Sequence, residues 1–508
     1  MTTSALRHRL LPATDDTPSV LLLATGEPVP SEVDETAVDE WKRLYDSFYG
    51  RMRQSEIGAD LTGWNSSFDG AALPAEHLHE WRDAVVDRVT STGPRRILEV
   101  GAGNGIVLAA LARTCDEYWA TDLSAAAVEL LRRSVRDDPL LSDRVRLSTQ
   151  AAHDITGLPT GHFDAIVLNS VVQYFPRATY LSEVLTALTG LLAPGGILYL
   201  GDLRGLRHHP AFVVDVATYR LGHPLSRPAA EALVTHHLIA AKELLVDPGF
   251  FEQWAAADGR ITGVDARRLR SRYRNEMTDY HYDVVLHHAA ADLLDVRDVD
   301  VAPWRPGIDP DEIADGRPFR LAGLPSGETA AAPGWHTAVT WAGDPGDDRL
   351  EVVYVPESAG RRLTGTHRWI PGTPTTNDPS AWRNLSARAD QLIARVERDT
   401  GSTPALLLVG GPGGLDLDPA VARETVAALG TSVASRSPLE EAVRGVLGRA
   451  LGRPVSPGED LATPTARQVT EIVSGLHEVL GVTIGADEVS ASRSARALAR
   501  TIRKAAAG

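Results

Sequence analysis

Residues Ile97–Gly105 read ILEVGAGNG, an apolar run that leads directly into three alternate glycines. An apolar run of this length is typical of a buried strand, and glycine allows positive φ and close approach of the backbone to a ligand. The spacing G-x-G-x-G differs from the G-x-G-x-x-G of dinucleotide-binding enzymes, where a helix N-terminus faces pyrophosphate. The stretch therefore predicts a strand that ends at a ligand-binding turn.

Around this stretch, from residue 95 to 288, short β-rich runs alternate with segments of helical period, which predicts a parallel sheet with crossover helices. The candidate strands are Arg96–Val100, Glu117–Thr121, Val145–Thr149, Phe163–Asn169, Ile197–Gly201, Gly263–Arg272 and Tyr280–His288. Helices are expected at about 105–113, 124–135 and 179–192, followed by a helical insert at 210–258. The last two strands form a hairpin with a turn at Asn275–Thr278. We therefore expect an α/β, Rossmann-like fold with a mostly parallel seven-stranded sheet.

Polar residues follow the predicted strands in a recognisable order. Asp122, nineteen positions after Gly103, can accept both hydroxyls of a ribose, and Asp154 can accept from an adenine amino group. Asn169 ends the fourth strand, whereas Asp164 opens it and is expected to be structural. In this order the features resemble those of class I methyltransferases, whose cofactor is S-adenosylmethionine (SAM). The alternative is a decayed or nicotinamide-binding domain of the same architecture.

The resemblance implies a set of cofactor-binding residues and no metal. We expect SAM to contact Glu99, Gly101, Ala102, Gly103, Asp122, Leu123, Asp154, Asn169, Tyr45 and Trp64. The two aromatic residues could equally be ordinary core residues.

The acceptor is expected at the carboxyl ends of the strands, where ligands bind in such sheets. If the strand ending near Arg272 runs parallel to the others, Asn275, Glu276 and Tyr280 lie on one side of the acceptor. Residues Asn169, Gln173 and Tyr174 then approach from the other side. We predict Gln173, Asn275 and Tyr280 to bind substrate, and Glu276, Tyr174 and Asn169 to be catalytic.

Methyl transfer depends mainly on positioning, but an amine acceptor must first lose its proton. Glu276 is the preferred base and Tyr174 the second choice. The alternative is that Tyr174 only packs the following helix and Glu276 is a solvated turn residue.

Segment 41–288 is similar to the N-methyltransferase domains inserted into adenylation domains of nonribosomal peptide synthetases. The matching stretches are WKRLYDSFY (41–49), GWNSS (63–67), EWR (80–82), EYWATDLS (117–124), VLNSVVQYFP (167–176), KELLVDPGFF (242–251) and NEMTDYHYDVVLH (275–287). The resemblance implies that the acceptor is the α-amino group of an aminoacyl or peptidyl thioester on a carrier protein. An oxygen or carbon acceptor on the tethered residue, or a non-catalytic docking scaffold, are the alternatives.

The C-terminal segment resembles a peptidyl carrier, because LHEVLGV (476–482) aligns with the end of the carrier's second helix. The resemblance places the attachment slot for phosphopantetheine at Ala466, which has no oxygen to modify, so the carrier is either inert by nature or has had its serine replaced. The alternative is an unrelated helical tail. Amphipathic helices are expected at Pro438–Leu451, Ala466–Leu480 and Ala495–Ala507, forming a helical bundle.

Residues 290–435 read as irregular and rich in Pro, Gly and Asp, with strand-like runs at Leu350–Val355 and Ala405–Val409. The stretch 392–417 resembles the end of an adenylation domain, although no lysine follows Gly410–Gly414. One hypothesis is that residues 1–35 and 320–430 form a vestigial adenylation subdomain interrupted by the methyltransferase, so that another adenylation domain must act in trans.

The resulting domain prediction is an N-terminal segment (1–35), a methyltransferase (36–290), a degenerate α+β linker region (291–435) and a carrier-like bundle (436–508). The insert 210–258 and the segment around Trp64 would form a lid or acceptor wall.

Composition narrows the classes of partner. The 67 acidic against 51 basic residues give a net charge of -16, which disfavours nucleic acid and anionic membranes. The single cysteine, Cys115, fits a packed thiol in a reducing compartment, and no apolar run is long enough to span a membrane. We therefore expect a cytoplasmic protein whose partners are other synthetase modules and a carrier-tethered substrate.

Overall fold

The architecture comes from a computed structural model of the chain. The structure describes residues 7–14, 18–25, 34–50, 57–61, 63–269, 271–290, 292–314, 316–325, 331–342, 349–359, 362–431, 443, 446–448, 450–451, 464–480, 484–492, 498 and 501–502.

The strands, in chain order, are β1 His8–Leu11, β2 Val20–Thr25, β3 Arg96–Val100, β4 Glu117–Asp122, β5 Val145–Thr149, β6 Phe163–Asn169, β7 Leu192–Arg204, β8 Ile261–Arg268, β9 His281–His288, β10 Leu294–Asp295, β11 Asp300–Pro303, β12 Phe319–Leu324, β13 Trp335–Trp341, β14 Leu350–Pro356, β15 Leu363–Thr364 and β16 Ala405–Gly410. The α-helices are α1 Asp34–Tyr49, α2 Ala75–Thr90, α3 Leu108–Leu111, α4 Ala125–Arg136, α5 Ala178–Thr189, α6 His209–Leu221, α7 Arg227–Ala240, α8 Pro248–Asp258, α9 Glu276–Asp279, α10 Pro310–Ala314, α11 Pro379–Thr400, α12 Pro419–Thr431, α13 Ala466–Leu480 and α14 Ala486–Ala491. Single 3₁₀ turns cover Val172–Tyr174, Glu357–Ala359 and Pro412–Asp416.

The largest sheet has seven strands in the order β5-β4-β3-β6-β7-β9-β8. All its neighbouring pairs are parallel except those that involve β9, which runs antiparallel to β7 and to β8. Strand β8 therefore runs parallel to the others, and the β8–β9 connection emerges at the carboxyl edge of the sheet. The prediction of a mostly parallel seven-stranded Rossmann-like sheet is confirmed.

Helices cover both faces of this sheet, and alternate residues of each central strand face opposite layers. In β3, Leu98 and Val100 join the layer that includes α5 and α8, while Ile97 joins the layer that includes α2 and α4. Such burial on both faces explains why these strands read as continuous apolar runs rather than alternating ones.

Several boundaries differ from the sequence prediction. Strand β7 begins at Leu192 and contains the predicted turn Pro194–Gly196, because that turn adds only a shift of register against β6. Helix α3 has four residues instead of the expected nine, since the glycine turn extends to Val107. Strand β8 ends at Arg268, and the expected turn at 275–278 is part of the short helix α9.

The linker region is more regular than its composition predicts. Strands β11-β12-β14-β13 form a four-stranded sheet, so the expectation of irregular structure was wrong for β11, β12 and β13. The strand-like runs predicted at Leu350–Val355 and Ala405–Val409 are confirmed as β14 and β16. Its strands are short and separated by loops rich in Gly, Pro and Asp, which hides the pairing in the sequence. Thr366 anchors this region to the methyltransferase sheet, because its hydroxyl donates to Asp265 on β8 at 2.9 Å.

Strands near the two ends of the chain pair with each other. Strand β2 pairs in parallel with β16, from Val20 with Ala405 to Thr25 with Gly410, and β1 adds an antiparallel edge. This pairing brings together the two segments of the subdomain hypothesis, whose adenylation-like identity stays a prediction.

The described C-terminal residues include α13, α14 and a separate apolar cluster that contains Val446, Ile472 and Leu476. Most of the predicted helices 438–451 and 495–507 lies outside the described residues. Within the part of the chain that the structure describes, no helix combines the length and apolarity needed to cross a bilayer.

Candidate active site

The glycine turn after β3 joins the ends of two strands. Gly101, with φ of 82°, donates its amide to the carbonyl of Thr121 at 2.8 Å, and the Gly103 amide donates to Oδ2 of Asp122 at 2.8 Å. A Cβ at Gly101 would collide with Val171, and one at Gly103 would lie 2.7 Å from the hydroxyl of Tyr49. The turn therefore needs glycine for its backbone angles and for its close neighbours.

Asp122 ends β4 with a carboxylate that is 8% exposed. Its Oδ1 accepts the amide of Ser124 at 2.8 Å, with Leu123 between them, and Oδ2 accepts from Gly103. Burial raises the pKa of Asp122, and the two amides oppose that rise. Each carboxylate oxygen has further acceptor capacity, which is what a pair of ribose hydroxyls requires.

Helix α1 covers this edge with aromatic side chains. The ring of Tyr174 lies 4.5 Å from that of Trp41 and 5.3 Å from that of Tyr45. Asp46 attaches α1 to the loop after β4, because its Oδ1 accepts the hydroxyl of Ser124 at 2.6 Å. Burial raises the pKa of Tyr174 to about 12, so its phenol stays protonated at neutral pH and offers a donor rather than a base.

Glu276 lies on α9 at the same edge and is 6% exposed. Its Oε2 accepts the amide of Ser67 at 2.7 Å, and its Oε1 accepts the Ser67 hydroxyl at 2.8 Å. The alternative of a solvated turn residue is therefore wrong. Asn275 caps α9 by accepting from the amides of Met277 and Thr278, so its oxygen serves the helix.

Asn169 and Gln173 each bury an oxygen without a hydrogen-bond partner in the described part of the chain. Asn169 is 8% and Gln173 6% exposed, and the orphan atoms are Oδ1 and Oε1. The Asn169 side chain passes so close to Gly201 that no Cβ fits there. A buried carbonyl oxygen without a donor is costly, which makes both atoms candidates for ligand contact.

Other predicted residues have protein partners. Glu99 accepts the Tyr118 hydroxyl at 2.7 Å inside the sheet, where burial raises the pKa of Glu99 to about 8. Trp64 packs against Trp81 with ring centroids 4.7 Å apart. Tyr280 donates its hydroxyl to Asp215 on α6.

Two further residues predicted to bind the cofactor, Asp154 and Ala102, differ in their exposure to solvent. Asp154 lies in a partly exposed loop, where hydrogen bonds from Thr156 hold the pKa of Asp154 below its usual range. Ala102 is 6% exposed within the glycine turn.

Sequence reasoning missed several residues that share this edge. Tyr49 follows Tyr45 by four positions, so helical spacing could have indicated it. Ser67, Asp202 and His281 have no local signal, because their partners are distant in sequence. His281 Nδ1 lies 2.5 Å from Asp202 Oδ1.

The residues present fit SAM. Asp122 and Asp154 offer acceptors suited to its hydroxyls and amino group, and the α1 rings suit a positively charged sulfur through cation–π contact. No cluster of three or more potential metal ligands occurs among the described residues.

Comparison with known proteins supports a methyltransferase domain in this part of the chain. The sequence profile of the family described as Methyltransferase domain matches residues 98–198. A probable nonribosomal peptide synthetase, CymA of Salinispora arenicola, is 38% identical over 71% of this chain and 5% of its own length. Chondramide synthase of Chondromyces crocatus is 38% identical over 51% of the chain and 7% of its own. The beauvericin nonribosomal cyclodepsipeptide synthetase of Beauveria bassiana is 30% identical over 52% and 8%.

The chain thus spans only a small part of each of these relatives. Among solved structures, the N-methyltransferase NodS of Bradyrhizobium japonicum covers 42% of this chain and 98% of its own at 16% identity, with a TM-score of 0.29, too weak a likeness to support an argument. The profile match and the strand order show that the chain contains a SAM-dependent methyltransferase domain, and the sequence similarity shows that this part is homologous to nonribosomal peptide synthetases.

Proposed function

We propose that the enzyme methylates the α-amino nitrogen of an aminoacyl or peptidyl thioester that is tethered to a carrier protein during nonribosomal peptide synthesis. The homology to peptide synthetases and the resemblance of segment 41–288 to their N-methyltransferase domains support this acceptor. The observation that carries the proposal is the pair of orphan acceptor oxygens on Asn169 and Gln173. A primary amine offers two N–H donors, whereas a hydroxyl offers one and a carbon acceptor none.

In this proposal the cofactor and the acceptor bind on different sides of the carboxyl edge of the seven-stranded sheet. SAM, when bound, supplies an electrophilic methyl group on a positively charged sulfur. The glycine turn, Asp122 and Asp154 would hold it, and Tyr45 would shield it from water. Most of the rate enhancement then comes from alignment of the acceptor nitrogen, because the leaving group needs little assistance.

The acceptor side is closed by the segment around Ser67 and by the insert α6–α8. Phe212, on α6, contacts Phe68 and Tyr280 within one apolar cluster, with ring centroids 6.4 and 5.2 Å away. Glu276 ties this wall to α9 through Ser67. The orphan oxygens are closed to solvent in this arrangement, so the wall or α1 must open to admit an acceptor.

The carrier must come from another source if residues 436–508 are carrier-like. Ala466 is the first residue of α13 and is exposed, as an attachment position would be, but alanine cannot hold phosphopantetheine. We therefore infer a partner carrier, loaded by an adenylation domain acting in trans. The domain boundaries at 36–290, 291–435 and 436–508 belong to the same proposal.

Intact-mass spectrometry of the full chain tests this proposal. The variant Ala466→Ser, loaded with a panel of aminoacyl-pantetheine groups, is incubated with SAM beside matched free amino acids, and fragmentation locates any methyl group. We expect methylation of the α-nitrogen on the loaded carrier and none on free amino acids. Methylation of oxygen or carbon would overturn the acceptor, and methylation of free amino acids alone would overturn the dependence on a carrier.

A further inference from the structure

A buried histidine–carboxylate pair lies at the acceptor edge. His281 opens β9, and its Nδ1 lies 2.5 Å from Oδ1 of Asp202 on β7. The hydroxyl of Ser170, the residue after Asn169, donates to Oδ2 of the same carboxylate at 2.7 Å. His281 is 7% and Asp202 6% exposed. The pair therefore links the ends of β6, β7 and β9 at the edge where the acceptor is proposed to bind.

The backbone is distorted to make this arrangement. Ser170 and Asp202 have φ values of 57° and 59°, which residues other than glycine rarely adopt. The register between β7 and β9 also shifts between Leu200 and Leu203, so that Asp202 lies in an irregularity of the ladder. Left-handed residues and bulges of this kind are concentrated at functional sites, where they redirect a side chain.

The contacts fix the form of the imidazole. Because the Asp202 carboxylate accepts at Nδ1, the neutral ring carries its proton there and leaves the lone pair on Nε2. Nε2 has no hydrogen-bond partner among the residues that the structure describes, and the side chain retains 8% exposure. Asp202 would also stabilise the ring once Nε2 gains a proton. Burial raises the pKa of Asp202, but the charge that His281 carries when protonated and the hydrogen bond from its ring hold that pKa below its ordinary value.

Glu276 is less suited to accept a proton, since its carboxylate charge strengthens the two hydrogen bonds that it accepts from Ser67. Loss of its charge would weaken two bonds that hold the acceptor wall in place. Nε2 of His281 makes no hydrogen bond to the residues that the structure describes, so it can accept a proton without weakening one.

We propose that His281 is the catalytic base, and that Asp202 is the positioning residue that orients it; this inference rests on the proposed function. The N–H bond of the acceptor ammonium breaks, its electron pair stays on the acceptor nitrogen, and the proton forms a bond to Nε2. When SAM is bound, the freed lone pair would form a bond to its methyl carbon as the bond from that carbon to sulfur breaks, with the electron pair left on sulfur. The proton leaves Nε2 for water. The reaction needs no other co-reactant at this step.

Steady-state kinetics of the full chain test the base. The acceptor probe is an L-aminoacyl N-acetylcysteamine thioester, with saturating SAM and detection of the methylated product by mass. We expect His281→Gln to lower kcat about a hundredfold or more at neutral pH, with little change in KM, and Asp202→Asn to lower it in the same direction. His288→Gln is the matched control, because His288 lies on the same strand with Nδ1 3.0 Å from the carbonyl of Ala193, away from the carboxyl edge.

Rate against pH separates a base from a structural residue. Raising the pH deprotonates the amine in solution, so the rate of His281→Gln should rise towards that of the wild type. The other titratable or charged groups that face the pair are Tyr199 and Arg204 on β7, Asp283 on β9 and Tyr174 in the 3₁₀ turn. All four are retained in both variants.

The outcomes are distinguishable. A wild type that methylates no α-nitrogen overturns the proposed function and this inference with it. If the wild type methylates nitrogen and His281→Gln matches its rate, only the assignment of the base is overturned. The same follows if the rate deficit of His281→Gln persists at high pH although calorimetry shows normal SAM binding. Nitrogen NMR of the imidazole gives a second readout, and a neutral His281 with its proton on Nε2 would contradict the assignment.

Discussion

Substituting Gly103 with alanine tests whether the glycine turn is fixed by backbone angle, by Tyr49, or by both. Gly103 has φ of 53°, and a left-handed alanine costs about 1–2 kcal/mol. The added Cβ would lie 2.7 Å from the Tyr49 hydroxyl, and overpacking of this kind costs about 1–3 kcal/mol. We therefore expect Gly103→Ala to lower the free energy of unfolding by about 2–5 kcal/mol.

Two further variants separate these contributions. Gly161 has φ of 62°, and a Cβ added there would have no neighbouring atom within 4 Å, so Gly161→Ala carries the backbone cost alone. In Gly103→Ala with Tyr49→Phe, the nearest remaining ring atom is Cζ at 3.6 Å, so the overpacking disappears.

Urea unfolding and isothermal titration with SAM measure both effects. The Gly103→Ala protein should bind SAM at least tenfold more weakly, because the Gly103 amide also positions Asp122, and tenfold corresponds to about 1.4 kcal/mol. Stability of the double variant should approach that of Gly161→Ala. Unchanged SAM affinity in Gly103→Ala, or no recovery of stability with Tyr49→Phe, would refute the reasoning.

Three further substitutions probe buried polar contacts. Ser67→Ala should cost about 1–3 kcal/mol in urea unfolding by removing a hydroxyl from buried Glu276, and more than Ser66→Ala, whose hydroxyl only accepts from an amide; equal losses would contradict this. Because the pKa of Glu99 is raised to about 8, the folded state holds a proton that the unfolded chain releases, so stability should fall between about pH 4.5 and 8. Thermal melts should show that Glu99→Gln removes this part of the slope, and an unchanged slope would argue against it. Arg320→Met should cost about 3–5 kcal/mol by leaving Glu351 with fewer partners inside the linker sheet, whereas Arg395→Met, from an exposed pair, should cost less than 1 kcal/mol; similar losses would count against a buried ion pair.

The methyltransferase sheet was predictable because its signals are local. The run before Gly101 and the acid at Asp122 lie at the ends of successive strands, and strand–helix alternation largely determines the order of a parallel sheet. In the linker sheet only β14 was predicted, as the strand-like run Leu350–Val355. The other strands are short and separated by loops, so the periodicity of each rests on few residues.

Candidate site residues could be proposed from the sequence only where they lie close together at the end of one strand. Asn169 ends β6 and Gln173 lies just beyond it, and one oxygen of each has no hydrogen-bond partner among the residues that the structure describes. The pairing of Glu276 with Ser67 joins residues 209 positions apart, and that of His281 with Asp202 joins residues 79 apart. Contacts of that separation depend on the assembled fold and leave no spacing in the sequence.

The pairing of β2 with β16 also has a consequence for synthesis on the ribosome. Val20 pairs with Ala405, and Leu21, Leu22 and Leu23 are fully buried. At a synthesis rate of about 5–20 residues per second, roughly 20–80 seconds pass between the synthesis of these leucines and that of β16. The methyltransferase sheet can be complete well before then. Pairing of β2 with β16 is therefore a late event in synthesis. Until it occurs, the nascent chain exposes an unpaired apolar strand that is prone to aggregate with other chains.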